Sequence, residues 1–182
     1  MKTFNHKESL LKSKMRSKTF TLGSWITIPH QSIVEILGSA GFEWLVLDLE
    51  HSAIDFQKTQ EMIAHIQAQG MQGLVRVSSN DPVVIKRSMD IGADGVIVPM
   101  VLNQEDAQKA VDAVRYPPLG NRGVGLSRAQ HYGIGFETYN KWVNSQSVVI
   151  VQVEHIDAVN NLESILSLSL IHISEPTRPS LI

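Results

Sequence analysis

One short segment, Asp48-Leu49-Glu50-His51, places three titratable side chains at the end of an apolar run. Ionisable groups are costly to bury in such a run, so their presence there favours a functional use. A histidine beside carboxylates can transfer protons near neutral pH, which makes His51 a candidate for acid–base chemistry. The alternative is a polar strand end that faces solvent.

Two other apolar runs end in side chains that suit an anion and a cation. Arg76 closes the run 73–77, where a guanidinium can bind a carboxylate or enolate oxygen through two hydrogen bonds. Gln152 and Glu154 alternate at the end of the run 148–153 and share one face of a strand. A lone carboxylate there suits a hard divalent cation that keeps several waters. Structural ion pairs, including one between Arg76 and Glu154, are the alternatives.

Two further features carry weaker signals. Asp90 lies near a predicted helix C-terminus, where an acid opposes the helix dipole, and on pattern alone an exposed acid explains it best. The loop 115–125 is rich in Gly and Pro and can bring backbone N–H groups close to an anionic ligand, or it can be a plain connector. Trp25, at the end of the first run, is predicted to serve packing.

The elements that must position these residues are five short apolar runs, each followed by a helical pattern. The runs are rich in Val, Ile and Leu, which is typical of parallel strands buried on both faces. Asp55, Asp81 with Pro82, and Asn103 are predicted to begin helices, and Gly92 to end one. The five runs are 20–25, 44–49, 73–77, 95–98 and 148–153.

Five strand–helix units predict an α/β protein with a parallel sheet. The pattern leaves open both a doubly wound sheet and a (β/α)8 barrel, and both place ligands at the carboxyl ends of strands. The sequence has neither a GxGxxG dinucleotide fingerprint after a strand nor a GxxxxGK[ST] phosphate loop.

The composition is that of an ordinary globular chain, with 182 residues, 43% hydrophobic, and a formal net charge of -2. The absence of cysteine excludes disulfides, thiolate metal sites and a cysteine nucleophile, and it is compatible with a reducing cytoplasm. The charge argues against a nucleic-acid surface across the domain, and no apolar run approaches the roughly 20 residues that span a bilayer. We expect a cytoplasmic protein that binds neither nucleic acid nor membrane.

The two ends of the chain differ from its middle. Residues 1–18 hold six of the 16 Lys and Arg residues, and Leu10, Leu11 and Met15 predict an apolar stripe on a short basic helix there, with a transit peptide as the alternative. At the other end, LSLIHISEPTR (168–178) resembles a translated sequencing adapter. We therefore expect residues 168–182 to be a non-native tail.

Six motifs occur in an order typical of one family, and on them the chain resembles the HpcH/HpaI aldolases, which are metal-dependent class II pyruvate aldolases. The family includes 4-hydroxy-2-oxoheptanedioate and 2-dehydro-3-deoxyglucarate aldolases, and the likeness runs from about residue 5 to Ser167. The motifs are GSW (23–25), AGFEWLVLDLEH (40–51), VRVSSNDP (75–82), VPMV (98–101), RYPPLGNRGVG (115–125) and VQVE (151–154).

The resemblance implies a (β/α)8 TIM barrel and reversible retro-aldol cleavage of a 4-hydroxy-2-oxo acid to pyruvate and an aldehyde, as used in carbohydrate or aromatic catabolism. It implies that His51 is the catalytic base, that Asp90 is the acid that orients it, and that Arg76 binds the keto acid and steadies the enolate.

The same resemblance implies a divalent metal cation, Mg²⁺, Mn²⁺ or Co²⁺. Glu154 matches the first metal carboxylate, Gln152 lies in the pyruvate pocket, and Glu50 holds the waters around the metal. For the full-length parent it implies a homo-oligomer, a hexamer in the family.

This chain departs from the family pattern in one respect. The second metal carboxylate belongs to a GPxDLS-like motif after strand six, which is missing here. Five strands cannot close an eight-stranded barrel, so residues 1–167 are expected to form an incomplete barrel of about five strands with little or no activity of its own.

Two other functions stay open. One is a citrate-lyase-type carbon–carbon lyase that uses a CoA thioester. The other is a non-catalytic interaction module that binds partners through the basic N-terminal helix.

Overall fold

A computed structural model describes residues 8–168 and 172–174 of the chain. Parallel strands alternate with helices throughout. The strands are β1 Gly23–Ile26, β2 Trp44–Asp48, β3 Gln72–Arg76, β4 Gly95–Val98, β5 Val148–Gln152 and β6 His172–Ser174. The helices are α1 Leu10–Arg16, α2 Gln31–Ser39, α3 Phe56–Ala68, α4 Pro82–Asp90, α5 Gln104–Val114, α6 Phe136–Ser145, α7 Ile156–Asn160 and α8 Leu162–Leu166, with a 3-10 helix at Arg128–Gln130.

The order of the strands decides between the two topologies that the sequence left open. Every pairing is parallel, and the order in the sheet is β1-β2-β3-β4-β5-β6. A doubly wound sheet reverses its order partway, whereas a barrel adds each strand beside the preceding one. The prediction of an α/β fold with part of a (β/α)8 barrel is confirmed.

A sixth strand is the one difference from the expected five. The backbone of β6 pairs with β5, with Val151 opposite Ile173. Because an edge strand presents unpaired N–H and C=O groups to any extended segment, this pairing needs no particular side chains. The non-native origin of 168–182 stays a prediction, and residues 169–171 and 175–182 lie outside the described residues.

The predicted helix boundaries are confirmed. Asp55 accepts a hydrogen bond from the Lys58 backbone N–H at 2.7 Å, and Asp81 and Asn103 cap α4 and α5 in the same way. Gly92 follows α4 with φ +97°, a left-handed conformation that glycine adopts without a Cβ penalty.

The sheet is buried on both faces. The outer face packs against the helices that follow the strands, in one large apolar cluster. The inner face forms a second cluster, and α1 lies against it through Leu11. This second cluster consists of Leu11, Val46, Leu74, Ile97, Val148 and Ile150.

Helix α1 covers the inner face at the amino ends of the strands, where the Leu11 backbone N–H donates to Gln72 Oε1 at 2.6 Å. The expected apolar stripe is wrong in part, because Leu10 is 54% exposed while Lys12 is buried and donates to the Ser147 carbonyl at 2.7 Å. Burial, with Arg16 and Arg115 nearby, lowers the pKa of Lys12 to about 8. Lysine stems are long enough to reach a backbone acceptor from an inward position.

Two of the described basic residues of this helix, Lys12 and Lys14, serve the fold, whereas Arg16 is exposed. Lys14 forms an ion pair with Glu43, and Lys12 is buried, so neither is displayed for a polyanionic partner. None of the helices in the described part of the chain has the length and apolar character needed to cross a bilayer.

Candidate active site

The inner face of the sheet is apolar in the middle and polar at the carboxyl ends of the strands. Side chains two residues apart on a strand point to the same face, and on three strands an inner apolar position is followed by an inner polar one. The apolar positions are Val46, Leu74 and Ile150, and the polar positions that follow them are Asp48, Arg76 and Gln152. We call the carboxyl-end layer, with Trp25, Glu50, His51 and Glu154, the polar rim.

Asp48 organises one side of the polar rim. It is buried, it lies opposite Arg76 in the β2–β3 register, and it accepts two hydrogen bonds from that guanidinium, Nε–Oδ1 at 2.9 Å and Nη2–Oδ2 at 2.5 Å. Its Oδ1 also accepts the backbone N–H groups of Glu50 and His51 at 3.0 and 3.1 Å. Burial acts to raise the pKa of Asp48, but these hydrogen bonds outweigh it and lower the pKa below its ordinary value.

Arg76 is held on one edge and one face. Its Cζ lies 4.5 Å from the ring centroid of Trp25, and its Nε is 3.4 Å from Glu50 Oε2. No described residue accepts a hydrogen bond from Nη1. The guanidinium is therefore rigidly placed with one nitrogen available to an anionic ligand.

Glu50 and His51 lie next to this arginine. Glu50 Oε2 is 3.7 Å from His51 Nε2, and the His51 side chain is 70% exposed. Burial raises the pKa of Glu50, Arg76 and His51 oppose that rise, and the negative charges of Glu154 and Asp48 add to it.

Glu154 and Gln152 complete the rim from β5. Glu154 Oε1 accepts the backbone N–H of Met100 at 2.8 Å, and Met100 has φ 53°, which directs that N–H from the β4 end. Gln152 is buried, and its Oε1 has no hydrogen-bond partner among the described residues. A buried acceptor without a donor is costly unless a ligand or water supplies one.

The charges of the rim favour a cation. The three acids of the rim, Asp48, Glu50 and Glu154, share one arginine, and Arg76 pairs with Asp48 and Glu50 but not with Glu154. Carboxylate oxygens are ligands that Mg²⁺, Mn²⁺ and Co²⁺ accept. Within residues 8–168 and 172–174 no three His, Cys, Asp or Glu side chains are grouped to hold a metal. A cation at the Glu154 carboxylate would therefore need substrate and water oxygens as its remaining ligands.

Asp90 does not join the rim within this chain. Helix α4 starts after the carboxyl end of β3 and runs back, so its last residue lies at the amino ends of the strands, away from His51. There Asp90 Oδ1 accepts hydrogen bonds from Arg122 Nη2 at 2.6 Å and Nε at 3.2 Å. Within this chain the Asp90 carboxylate is the counter-ion of a buried arginine, and its role in orienting His51 stays a prediction.

The loop 115–125 is at the same end as Asp90. Two of its backbone N–H groups are used internally, since Asn121 donates to the Asp112 carbonyl at 2.7 Å and Arg122 to the Arg115 carbonyl at 2.9 Å. Arg122 is buried and donates to the Tyr139 hydroxyl at 2.8 Å. Within this chain the loop buries an arginine, and its use in binding an anionic ligand stays untested.

Two rim residues were not assigned a role from the sequence. The sequence predicted Asp48 only as one of three titratable groups in its segment. The feature that could have identified it is its position opposite Arg76, because a buried carboxylate beside an arginine on the same face forms an ion pair. Trp25 was expected to serve packing, yet it is 42% exposed and stacks on Arg76. The feature that could have predicted this contact is that Trp25 lies at the carboxyl end of β1, which also reaches the rim.

Comparison with known proteins agrees with this geometry. The family model described as HpcH/HpaI aldolase/citrate lyase matches residues 21–173. The chain is 41% identical over 152 residues to a 2-dehydro-3,6-dideoxy-6-sulfogluconate aldolase of Pseudomonas putida, covering 83% of this chain and 59% of the relative. It is 38% identical over 161 residues to a 4-hydroxy-2-oxo-heptane-1,7-dioate aldolase of Escherichia coli, covering 87% and 61%.

A solved structure gives the same result. An HpcH/HpaI aldolase/citrate lyase family protein from Burkholderia cenocepacia J2315 superposes with a TM-score of 0.81 at 31% identity, over 90% of this chain and 67% of that one. The chain spans about three fifths of the length of the curated relatives it matches. The family model and the identity to the curated relatives show that the chain belongs to the HpcH/HpaI aldolase/citrate lyase family.

Proposed function

We propose that the polar rim is part of an aldolase active site, which reversibly cleaves a 4-hydroxy-2-oxo acid to pyruvate and an aldehyde. The observation that carries this proposal is the placement of Arg76, whose Nη1 has no protein acceptor among the described residues and which lies beside Glu50. The aldolase names of the relatives support the same reaction class. A small-molecule 2-oxo acid is the partner it implies; cytoplasmic location and a homo-oligomer stay predictions.

Arg76 would bind the 2-oxo acid. Asp48 and Trp25 hold the guanidinium in place before the ligand arrives, so little reorganisation is needed when negative charge develops on the enolate. A preorganised cation of this kind stabilises the charged state of the reaction more than the neutral one.

Glu154 would hold a divalent cation, Mg²⁺, Mn²⁺ or Co²⁺, with Glu50 near its waters and the buried amide of Gln152 facing pyruvate. When bound, such a cation makes the C3 proton of pyruvate more acidic and stabilises the enolate. The neighbouring acids Glu50 and Glu154 support this assignment, since one cation would relieve their mutual repulsion.

His51 would move the proton of the substrate hydroxyl. In the cleavage direction the C4 hydroxyl loses its proton as the C3–C4 bond breaks, giving an aldehyde and the enolate of pyruvate, which then takes a proton at C3. The exposed imidazole of His51 can carry that hydroxyl proton through a water molecule. Asp90 is given no step in this scheme, because within this chain it lies at the opposite end of the strands, where its Oδ1 accepts from Arg122.

The test is calorimetric binding of pyruvate in the presence and absence of Mn²⁺. We expect the unaltered chain to bind pyruvate only with Mn²⁺, and Arg76→Lys to bind it about tenfold more weakly, because lysine cannot reproduce the planar fork. His51→Ala should leave Mn²⁺ and pyruvate binding unchanged. Equal binding by the unaltered chain and Arg76→Lys would overturn the proposal.

Cleavage is measured separately as pyruvate released from a 4-hydroxy-2-oxo acid with Mn²⁺. We expect little turnover by this chain, because its described strands number six and an eight-stranded barrel is needed to complete the site. Any turnover should disappear in His51→Ala. A strict requirement for a CoA thioester would favour the citrate-lyase alternative instead.

A further inference from the structure

A cavity lies at the opposite end of the strands from the polar rim. Its volume is about 680 Å³, within the range of about 300–1,000 Å³ that small-ligand sites occupy. It is bordered by the amino ends of β3 and β4, the end of α3, the 3-10 helix and α6. None of the residues assigned to the aldolase reaction lines it.

Two opposite charges face this cavity without touching. Gln67 lies between them: its Nε2 donates to Asp94 Oδ2 at 3.1 Å, and its Oε1 accepts from Arg128 Nη2 at 2.8 Å. Asp94 and Arg128 influence one another electrostatically, yet they form no ion pair within 4.0 Å in the described residues. Opposite charges in a poorly solvated place attract strongly, so a neutral amide that keeps them apart is an unusual arrangement.

Both charged groups keep hydrogen-bonding capacity. Asp94 Oδ2 also accepts the Gly73 backbone N–H at 2.8 Å, whereas Oδ1 has no partner among the described residues. Arg128 Nη1 donates to the Ile91 carbonyl at 3.1 Å, and its Nε has no acceptor within the same residues. Burial raises the pKa of Asp94 to about 6, against the lowering effect of Gln67, so the carboxyl is mostly ionised at neutral pH.

Aromatic side chains form the rest of the wall. Tyr139 and Trp142 stack with ring centroids 5.8 Å apart, and Tyr132 is 67% exposed at the mouth. His131 and Tyr132 both have left-handed backbone conformations, with φ 50° and 57°, which non-glycine residues seldom adopt. Such conformations recur where a side chain is held in position for a ligand.

An α-amino acid matches all three features. Its carboxylate and ammonium are separated by one carbon atom, so it can bridge an arginine and an aspartate that do not touch, and an apolar side chain can lie against aromatic rings. An anion alone would leave Asp94 and the exposed Glu8 unfavourably close, and an amine alone would leave Arg128 unpaired. We propose that this cavity binds an α-amino acid with an aromatic or large apolar side chain, with its carboxylate on Arg128 and its ammonium on Asp94.

The experiment is titration of the chain with L-phenylalanine by calorimetry, with two ligands that each lack one charge. We expect saturable binding of L-phenylalanine, and at least about tenfold weaker binding of 3-phenylpropionate and of phenethylamine, because each leaves one protein charge unpaired. Asp94→Asn and Arg128→Lys should each weaken L-phenylalanine binding by a similar factor. Arg87→Lys, on α4 and outside the cavity, is the matched control and should bind normally.

Asp94→Asn keeps the shape of the side chain, and circular dichroism checks that each variant is folded. If Arg128→Lys does not fold, Tyr132→Ala replaces it, and we expect L-phenylalanine affinity to fall about threefold or more. Equal affinity for the three ligands, no saturation up to about 10 mM, or binding lost only in Arg76→Lys would each overturn the proposal. None of these outcomes bears on the pyruvate experiment.

Discussion

Arg76 and Asp48 occupy opposite positions in the β2–β3 register and are joined by two hydrogen bonds at the carboxyl ends of their strands. This pair fixes the direction of the guanidinium and, through Asp48 Oδ1, the backbone turn that carries Glu50 and His51. One buried carboxylate thus positions both the anion-binding and the proton-transfer groups of the rim.

Asp48→Asn should therefore weaken pyruvate binding although Asp48 is not proposed to touch pyruvate. The amide has one oxygen instead of two and carries no charge, so Arg76 loses one of its two anchors. We expect the dissociation constant of pyruvate with Mn²⁺ to rise about tenfold. Glu61→Gln, an exposed change on α3, is the control, and an unchanged dissociation constant in Asp48→Asn would contradict the positioning role.

Glu154→Gln should weaken Mn²⁺ binding by about tenfold or more, because the charge is lost while the Met100 hydrogen bond can be kept. Glu50→Gln should have a smaller effect if Glu50 contacts only the waters around the cation. Electron paramagnetic resonance of free Mn²⁺ measures both. Glu163→Gln on α8 is the control, and equal affinity in Glu154→Gln and Glu163→Gln would reject Glu154 as a ligand.

Asp90→Asn tests a structural role. Arg122 is buried, and its carboxylate partner is Asp90, so the variant leaves a buried cation with weaker compensation. We expect the free energy of unfolding to fall by about 2 kcal/mol, measured by urea denaturation, with Mn²⁺ affinity unchanged. Asp157→Asn, an exposed carboxylate on α7, should change neither. Full stability with lost Mn²⁺ or pyruvate binding would indicate instead that Asp90 serves the rim.

We expect the free energy of unfolding to fall as pH rises, because of the carboxyl group of Asp94. Burial raises its pKa in the folded chain to about 6 from an ordinary value of 3.8, so the folded state holds this proton more tightly than the unfolded state. That contribution is complete below pH 4 and is lost as pH rises through 6, by about 2–3 kcal/mol. Asp94→Asn should flatten the dependence of urea stability on pH in this window, and an identical slope in both proteins would refute the assignment.

The fold was predictable because each element has a local cause. Asp55, Asp81 and Asn103 cap their helices as their residue types indicate, and the Val- and Ile-rich runs become strands at nearly the expected positions. The pattern could not choose between sheet topologies, since strand order depends on how connections turn, not on the content of any one strand. The sixth strand lay beyond prediction for the same reason.

The site was predictable at strand ends and unpredictable where tertiary contacts decide. His51, Arg76, Gln152 and Glu154 lie at the carboxyl ends of strands, which parallel sheets bring together. Asp90 shows the limit: whether an acid at a helix end meets a histidine or an arginine depends on the loop 115–125, whose path no local pattern defines. Trp25 shows a second limit of prediction from sequence, because its stacking on Arg76 requires their strands to lie close together in the sheet.

Gly92 has a consequence beyond ending α4. A methyl group at this position would stand 2.2 Å from Arg128 Nη1, so the left-handed turn and the room for the guanidinium are one requirement met by one residue. A larger residue at position 92 would strain the backbone and displace the guanidinium from its hydrogen bonds to Ile91 and Gln67.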